Sequence, residues 1–98
     1  MRYTLGIDFG GGAAKATLLC ADGQIAATHT VEYPTAHPTA RACEQNPADW
    51  WNALCACTRE ILRKGNIRAG EIAAVALDSA THSAVVCDGN MTPLRPCI

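Results

Sequence analysis

Ninety-eight residues make about one small domain with a thin core. Almost half of them are apolar, but eighteen of those are alanine; only 17% of the chain is charged, and the net charge is −1. This excludes a disordered chain and a basic nucleic-acid footprint, and no apolar run approaches the ~20 residues of a bilayer span. The opening stretch reaches Asp8 too soon for a secretory leader, so the expected setting is cytoplasmic, with no nucleic-acid and no membrane partner.

Tyr3 to Ile7 reads as a strand that runs into Asp8-Phe9-Gly10-Gly11-Gly12, and Ala14 to Cys20 reads as a second. Ala21-Asp22-Gly23-Gln24 predicts a type I′ hairpin turn, after which Ile25 to Tyr33 forms a third strand. Links this short make the three an antiparallel meander. Pro34 to Asn46 is a long connection without elements of its own, a length that is usually functional or disordered.

Asn46 then offers an N-cap, Pro47 suits the first helical position, and Asp49 stands at N3 as in a capping box. Trp51, Leu54, Cys55, Thr58, Ile61 and Leu62 form a helical stripe, which places Trp51 in the core with Trp50 flanking it. Arg63 and Lys64 complement the helix dipole, and Gly65 supplies a left-handed stop. Ile72 to Leu77 is a nearly continuous apolar run, as in a strand buried on both faces. Ala84 to Cys87 reads as a further short strand, followed by an Asp88-Gly89-Asn90 turn and an extended end at Cys97-Ile98 that is expected to lead into more protein. The order β, β, β, α, β, β predicts an α/β domain: a mixed sheet with the helix on one face.

Cys20, Cys43, Cys55, Cys57, Cys87 and Cys97 contain no C-x-x-C pair. On the predicted helix Cys55 and Cys57 point about 200° apart, so they share neither a metal nor a bridge. Most are expected to be small buried hydrophobes of a reduced protein, with a functional thiol as the alternative.

Two places carry chemistry. The turn Gly10-Gly11-Gly12 allows a close backbone approach and can gather several N–H groups on phosphate oxygens. Asp8, just before it, is placed to hold Mg²⁺ through water, and Lys15 can add positive charge or be a solvated strand residue. This is no Walker loop, since G-x-x-x-x-G-K-[ST] is absent; a plain tight hairpin stands as the alternative. The second place is the polar cluster Asp78 to Ser83, where Thr81 and His82 are suited to hydrogen-bond a polyol or sugar. His82 is equally suited to satisfy local backbone groups. His29 and His37 receive no role.

Leu5-Gly6-Ile7-Asp8-Phe9-Gly10, the Asp-Gly hairpin, Glu44-Gln45-Asn46-Pro47 leading into Trp50-Trp51, and a strand ending near Thr81-His82 occur in one order. In this the chain resembles the N-terminal part of the FGGY carbohydrate kinases, the xylulokinases most of all, over essentially its whole length. The resemblance implies an incomplete ribonuclease-H-like, actin-like ATPase domain: the first part of domain one, spanning residues 1–98. It implies an ATP-dependent transfer of the γ-phosphoryl group to a small-molecule sugar, D-xylulose or a related ketopentose, and is compatible with a homodimer. By it Asp8 is the Mg²⁺-side carboxylate, and Gly10, Gly11 and Gly12 form the first phosphate loop, with Lys15 beside it. Thr81 and His82 take the position of a sugar-contacting Met-His pair, and the catalytic aspartate lies beyond residue 98, so these residues alone are expected to be inactive.

The chain departs from the family pattern where Gly11 and Gly12 replace hydroxyl residues, and where Ala80-Thr81-His82-Ser83 replaces Gln-Met-His-Gly. Two rival readings therefore stand: a non-catalytic actin-like nucleotide-binding module, or a kinase of the same family for another sugar or polyol.

Overall fold

The computed structural model describes residues 2–81 and 83–98, and among these it has one sheet of four strands, one α-helix and a short 3₁₀ turn. Strands β1 (Tyr3–Phe9), β2 (Ala13–Cys20) and β3 (Ile25–Glu32) form the expected antiparallel meander. Helix α1 (Pro47–Gly65) then carries the chain back across the sheet. After the 3₁₀ turn (Ala69–Glu71), β4 (Ile72–Ser79) pairs parallel to β1, giving the order β3-β2-β1-β4. The parallel neighbour requires a long crossover, and α1 supplies it.

Leu5, Ile7, Ala14, Ala16 and Leu18 alternate along β1 and β2 and form the buried face of the sheet. Against them α1 sets Ala53, Cys57 and Ile61, with Trp50 and Leu54 partly buried at the edge. Burial of side chains such as Leu18 and Ile61 stabilises the fold by about 1.5–3 kcal/mol each.

The helix is rotated from the expected stripe. Trp51, expected in the core, is 65% exposed, and Trp50 takes the inner position. The reason is proximity: small Ala14 and Ala16 on β2 let the helix approach closely there, and Ala53 and Cys57 take inner positions beside the larger Ile61. Cys57 Sγ lies 3.6 Å from the carbonyl oxygen of Ala14. Burial also pushes the Cys57 thiol up from its ordinary pKa, which keeps it protonated and inert.

At its start α1 has the expected N-cap, with Asn46 Oδ1 accepting from Ala48 N at 3.0 Å, but among the described residues the Asp49 side chain makes no reciprocal bond of a capping box. At its end Asn66, not Gly65, adopts the left-handed conformation, at φ 50° and ψ 48°. Gly65 instead leaves room for the core: a Cβ there would lie 2.8 Å from Cδ2 of the buried Leu18, which would have to shift.

Other expectations are corrected too. The hairpin between β2 and β3 has positive φ only at Gly23, so it is not a type I′ turn, which needs two. Asp22 instead accepts from Gln24 N at 3.0 Å, and a register shift follows at Leu18/Leu19. β4 is not buried on both faces, with Val75 57% and Leu77 61% exposed, because α1 lies chiefly over β2 and β3. Ala84 to Cys87 is no strand; its pairing is limited to a Cys87–Pro93 bridge around the Asp88 turn. Among the six free cysteines only Cys57 and Cys97 are buried, and Cys43 is exposed.

Candidate active site

β1 and β4 are parallel, so both finish at the same rim of the sheet, where open α/β sheets hold their ligands. Asp8 and Asp78 are register partners at this rim, and Lys15 is the partner of Asp8 on β2. Leu5 and Ile7 face α1, so alternation along β1 sends Asp8 to the opposite, open face, together with Lys15 and Asp78. The three border a shallow groove of about 370 Å³ floored by Gly6, Thr17 and Ala76. Among the described residues no ion pair engages any of them.

The two carboxyls interact. A hydrogen bond with Asp8 pushes the Asp78 carboxyl above its ordinary pKa, and desolvation and the Asp8 charge push in the same direction. The folded state therefore holds a proton here more firmly than the unfolded chain. Its contribution to stability is present below the ordinary carboxyl pKa and is lost as pH rises through the raised one.

Gly10 to Gly12 follow β1 at the same rim. Gly10 N donates to Ala13 O at 2.9 Å and closes the turn. The carbonyls are held from the far side. Tyr33 Oη donates to Gly10 O and lies 3.1 Å from Ala13 O, Tyr33 N donates to Gly12 O at 3.0 Å, and Gln45 Nε2 donates to Gly11 O at 2.6 Å. Burial, followed by the Asp8 charge, raises the Tyr33 phenol, which keeps it a donor. Positive φ among glycines is confined to Gly23, so the turn is not the alternating-handed kind of anion nest. Crowding does not demand glycine at 11 or 12 either, since a Cβ at each would meet open space.

A cavity of about 490 Å³ opens on the α1 side of the loop, lined by Phe9, Gly10, Gly11, Trp50, Ser79 and Ser83 among others. The rim thus has two depressions. Asp8 and Lys15 lie in the groove, Gly10 and Gly11 in the cavity, and Gly12 is exposed beside both. Thr81 is exposed in the turn after β4 and lines neither, while His82 lies outside the described residues.

Tyr33 and Gln45 received no role from the sequence. Gln45 stood in the Glu-Gln-x-Pro-x-x-Trp-Trp pattern, which was its available signal. Tyr33 was only the expected end of a strand.

The architecture, a three-strand meander with a helical crossover to a parallel fourth strand, is that of an actin-like, ribonuclease-H-like domain. Residues 3–98 match the N-terminal domain of the FGGY family of carbohydrate kinases, and the chain belongs to that family. It is 33% identical over 96 residues to a gluconokinase of Bacillus subtilis, covering 98% of this chain and 18% of the relative. A xylulose kinase of Bacillus subtilis is 31% identical over 98 residues, covering 100% of this chain and 20% of the relative. Among solved structures, a ligand-bound xylulose kinase from Lactobacillus acidophilus superposes with a TM-score of 0.90 at 24% identity, covering 100% of this chain and 19% of that one. The chain thus spans about a fifth of the length of the relatives it matches. No helix among the described residues is long and apolar enough to cross a membrane.

Proposed function

We propose that these residues are the first part of domain one of a cytoplasmic, ATP-dependent kinase that phosphorylates a small sugar. One observation carries the reading: at the shared rim of β1 and β4, an exposed glycine loop has its carbonyls tied back beside the carboxylate of Asp8. The donor set fits Mg²⁺ and a nucleotide. Two exposed carboxylates suit a hydrated divalent cation, and open space at Gly11 and Gly12 suits phosphate oxygens. Six free cysteines accord with a reducing compartment.

When bound, Mg·ATP supplies the transferable phosphoryl group and the cation that neutralises its charge. In this reading Asp8 would hold the cation through water, with the Asp78 carboxylate beside it in register as a second oxygen donor. The backbone amides of Gly11 and Gly12 would bind phosphate oxygens, the expected Gly10 amide being already taken by Ala13 O, and Lys15 would add positive charge. Thr81 and His82 orient the sugar, and the proton-accepting carboxylate comes from elsewhere in the full-length protein. Positioning and charge neutralisation then carry the chemistry. A ketopentose such as D-xylulose is the first substrate of choice, from the resemblance at Thr81-His82. Gluconate is the second, from the relative of that name.

The test is ATP turnover by the full-length protein with Mg²⁺ and a panel of pentuloses, polyols and sugar acids. Turnover stimulated by one sugar is expected, and replacing His82 with alanine should raise KM for that sugar about tenfold or more. The rival, a nucleotide-binding module without transfer, draws on the missing hydroxyls at Gly11 and Gly12. It would bind ATP and turn over nothing with any sugar.

A further inference from the structure

We propose that Gln45 is a positioning residue that aims the amide of Gly12 at the nucleotide phosphates, with Tyr33 doing the same for the amide of Gly11. The inference rests on the kinase reading above. It begins with the peptide plane: in a trans peptide the C=O of one residue and the N–H of the next point in opposite directions. No peptide bond in the chain is cis. Pulling Gly11 O toward Gln45 Nε2, at 2.6 Å, therefore turns Gly12 N–H away from Gln45. Pulling Gly10 O toward Tyr33 Oη turns Gly11 N–H away from Tyr33 in the same manner. Neither amide has an acceptor among the described residues.

The Gln45 side chain is itself locked. Its Oε1 accepts from Trp50 Nε1 at 2.9 Å, and Nε2 also donates to Thr35 Oγ1 at 2.9 Å. An indole N–H only donates, so the amide has one orientation, and it is the one that presents NH₂ to Gly11. Reversing it would set oxygen against oxygen at Gly11 and N–H against N–H at Trp50. This also explains why Trp50 rather than Trp51 turns inward, since the inner indole is the one that fixes the glutamine. The backbone is pinned as well: Gln45 N donates to Cys97 O at 2.9 Å and Cys97 N to Gln45 O at 2.8 Å.

Gln45→Glu in the full-length protein separates positioning from packing. The carboxylate keeps the shape and still accepts from Trp50, but it loses the donor to Gly11. When protonated it regains an O–H donor. ATP affinity, measured by calorimetry and expressed relative to the unmodified protein, is expected to fall about tenfold at pH 8 and to recover in part toward pH 5. Gln45→Met should lose as much at both pH values, and KM for the sugar should change less than about twofold in either variant. Melting without nucleotide reports whether the variants are folded. If Gln45→Glu does not fold, Tyr33→Phe carries the test through Gly10, with a comparable loss of ATP affinity expected. An unmodified protein that binds no ATP overturns the kinase reading and this inference with it. ATP binding by the unmodified protein that is unaltered in Gln45→Glu, or reduced equally at both pH values, overturns the inference alone.

Discussion

Replacing Asp8 with asparagine in the full-length protein is expected to lower phosphoryl transfer by about 10²–10³-fold and to raise the Mg²⁺ concentration needed for half-maximal rate. The side chain is exposed at the end of β1 and takes no part in the core, so its loss should leave the fold intact. Its neighbours make the effect specific. Asp78 is the register partner of Asp8 on β4, so a second exposed carboxylate stands beside the one that is lost. A partial rescue at high Mg²⁺ is therefore expected in Asp8→Asn and not in a variant that also carries Asp78→Asn. Steady-state rates across a Mg²⁺ series check this; an unchanged rate and unchanged Mg²⁺ requirement in Asp8→Asn would remove the carboxylate from the proposed machinery.

The second large effect concerns the core. Leu18 is fully buried under α1, and Leu18→Ala should destabilise the protein by about 2–5 kcal/mol. Gly65→Ala should cost roughly 1–3 kcal/mol by overpacking, because the added Cβ would stand 2.8 Å from Leu18 Cδ2. Made together, the substitutions should cost less than their sum, by about 0.5–3 kcal/mol, since the shortened residue 18 leaves room for the new methyl. Urea denaturation of both single variants and the double variant measures that coupling. Strict additivity would show that the helix end does not press on β2 as described.

Much of the architecture was legible in the residues because it depends on local signals. Short turns force a meander, Asn46-Pro47 begins a helix, and Ile72 to Leu77 has the composition of a parallel strand. The rotation of α1 was not legible. Hydrophobicity alone favours Trp51, Leu54 and Leu62 over Ala53 and Cys57, and the opposite outcome follows from the alanines of β2, which bring the helix close. The left-handed cap falls one residue later than expected, on Asn66, a residue type that tolerates the αL conformation.

The chemistry divides in the same way. Asp8, Lys15 and the glycines were readable as residue types near a strand end, and the register places Asp8 and Lys15 side by side. Asp78 joins them only through the parallel pairing of β1 and β4, which no local pattern reveals. Gln45 and Tyr33 were hidden for a related reason. Their contacts run to Gly11 and Gly10, 34 and 23 residues away along the chain, and the groups they engage are backbone atoms, which every residue possesses.

The two rims of the sheet are unequal in a way that matters for handling the 98 residues on their own. Along β3 the outermost strand is interrupted by His29, Glu32 and threonines, and Lys64 reaches over to bond Thr28 O at 2.9 Å. Along β4 the sequence Ile-Ala-Ala-Val-Ala-Leu meets no charge before Asp78. Its outward backbone groups are a ready template for an added strand. Expressed in isolation, the polypeptide should stick to itself through that bare hydrocarbon border and leave the other rim free, and a lysine in place of Val75 should restore it to solution.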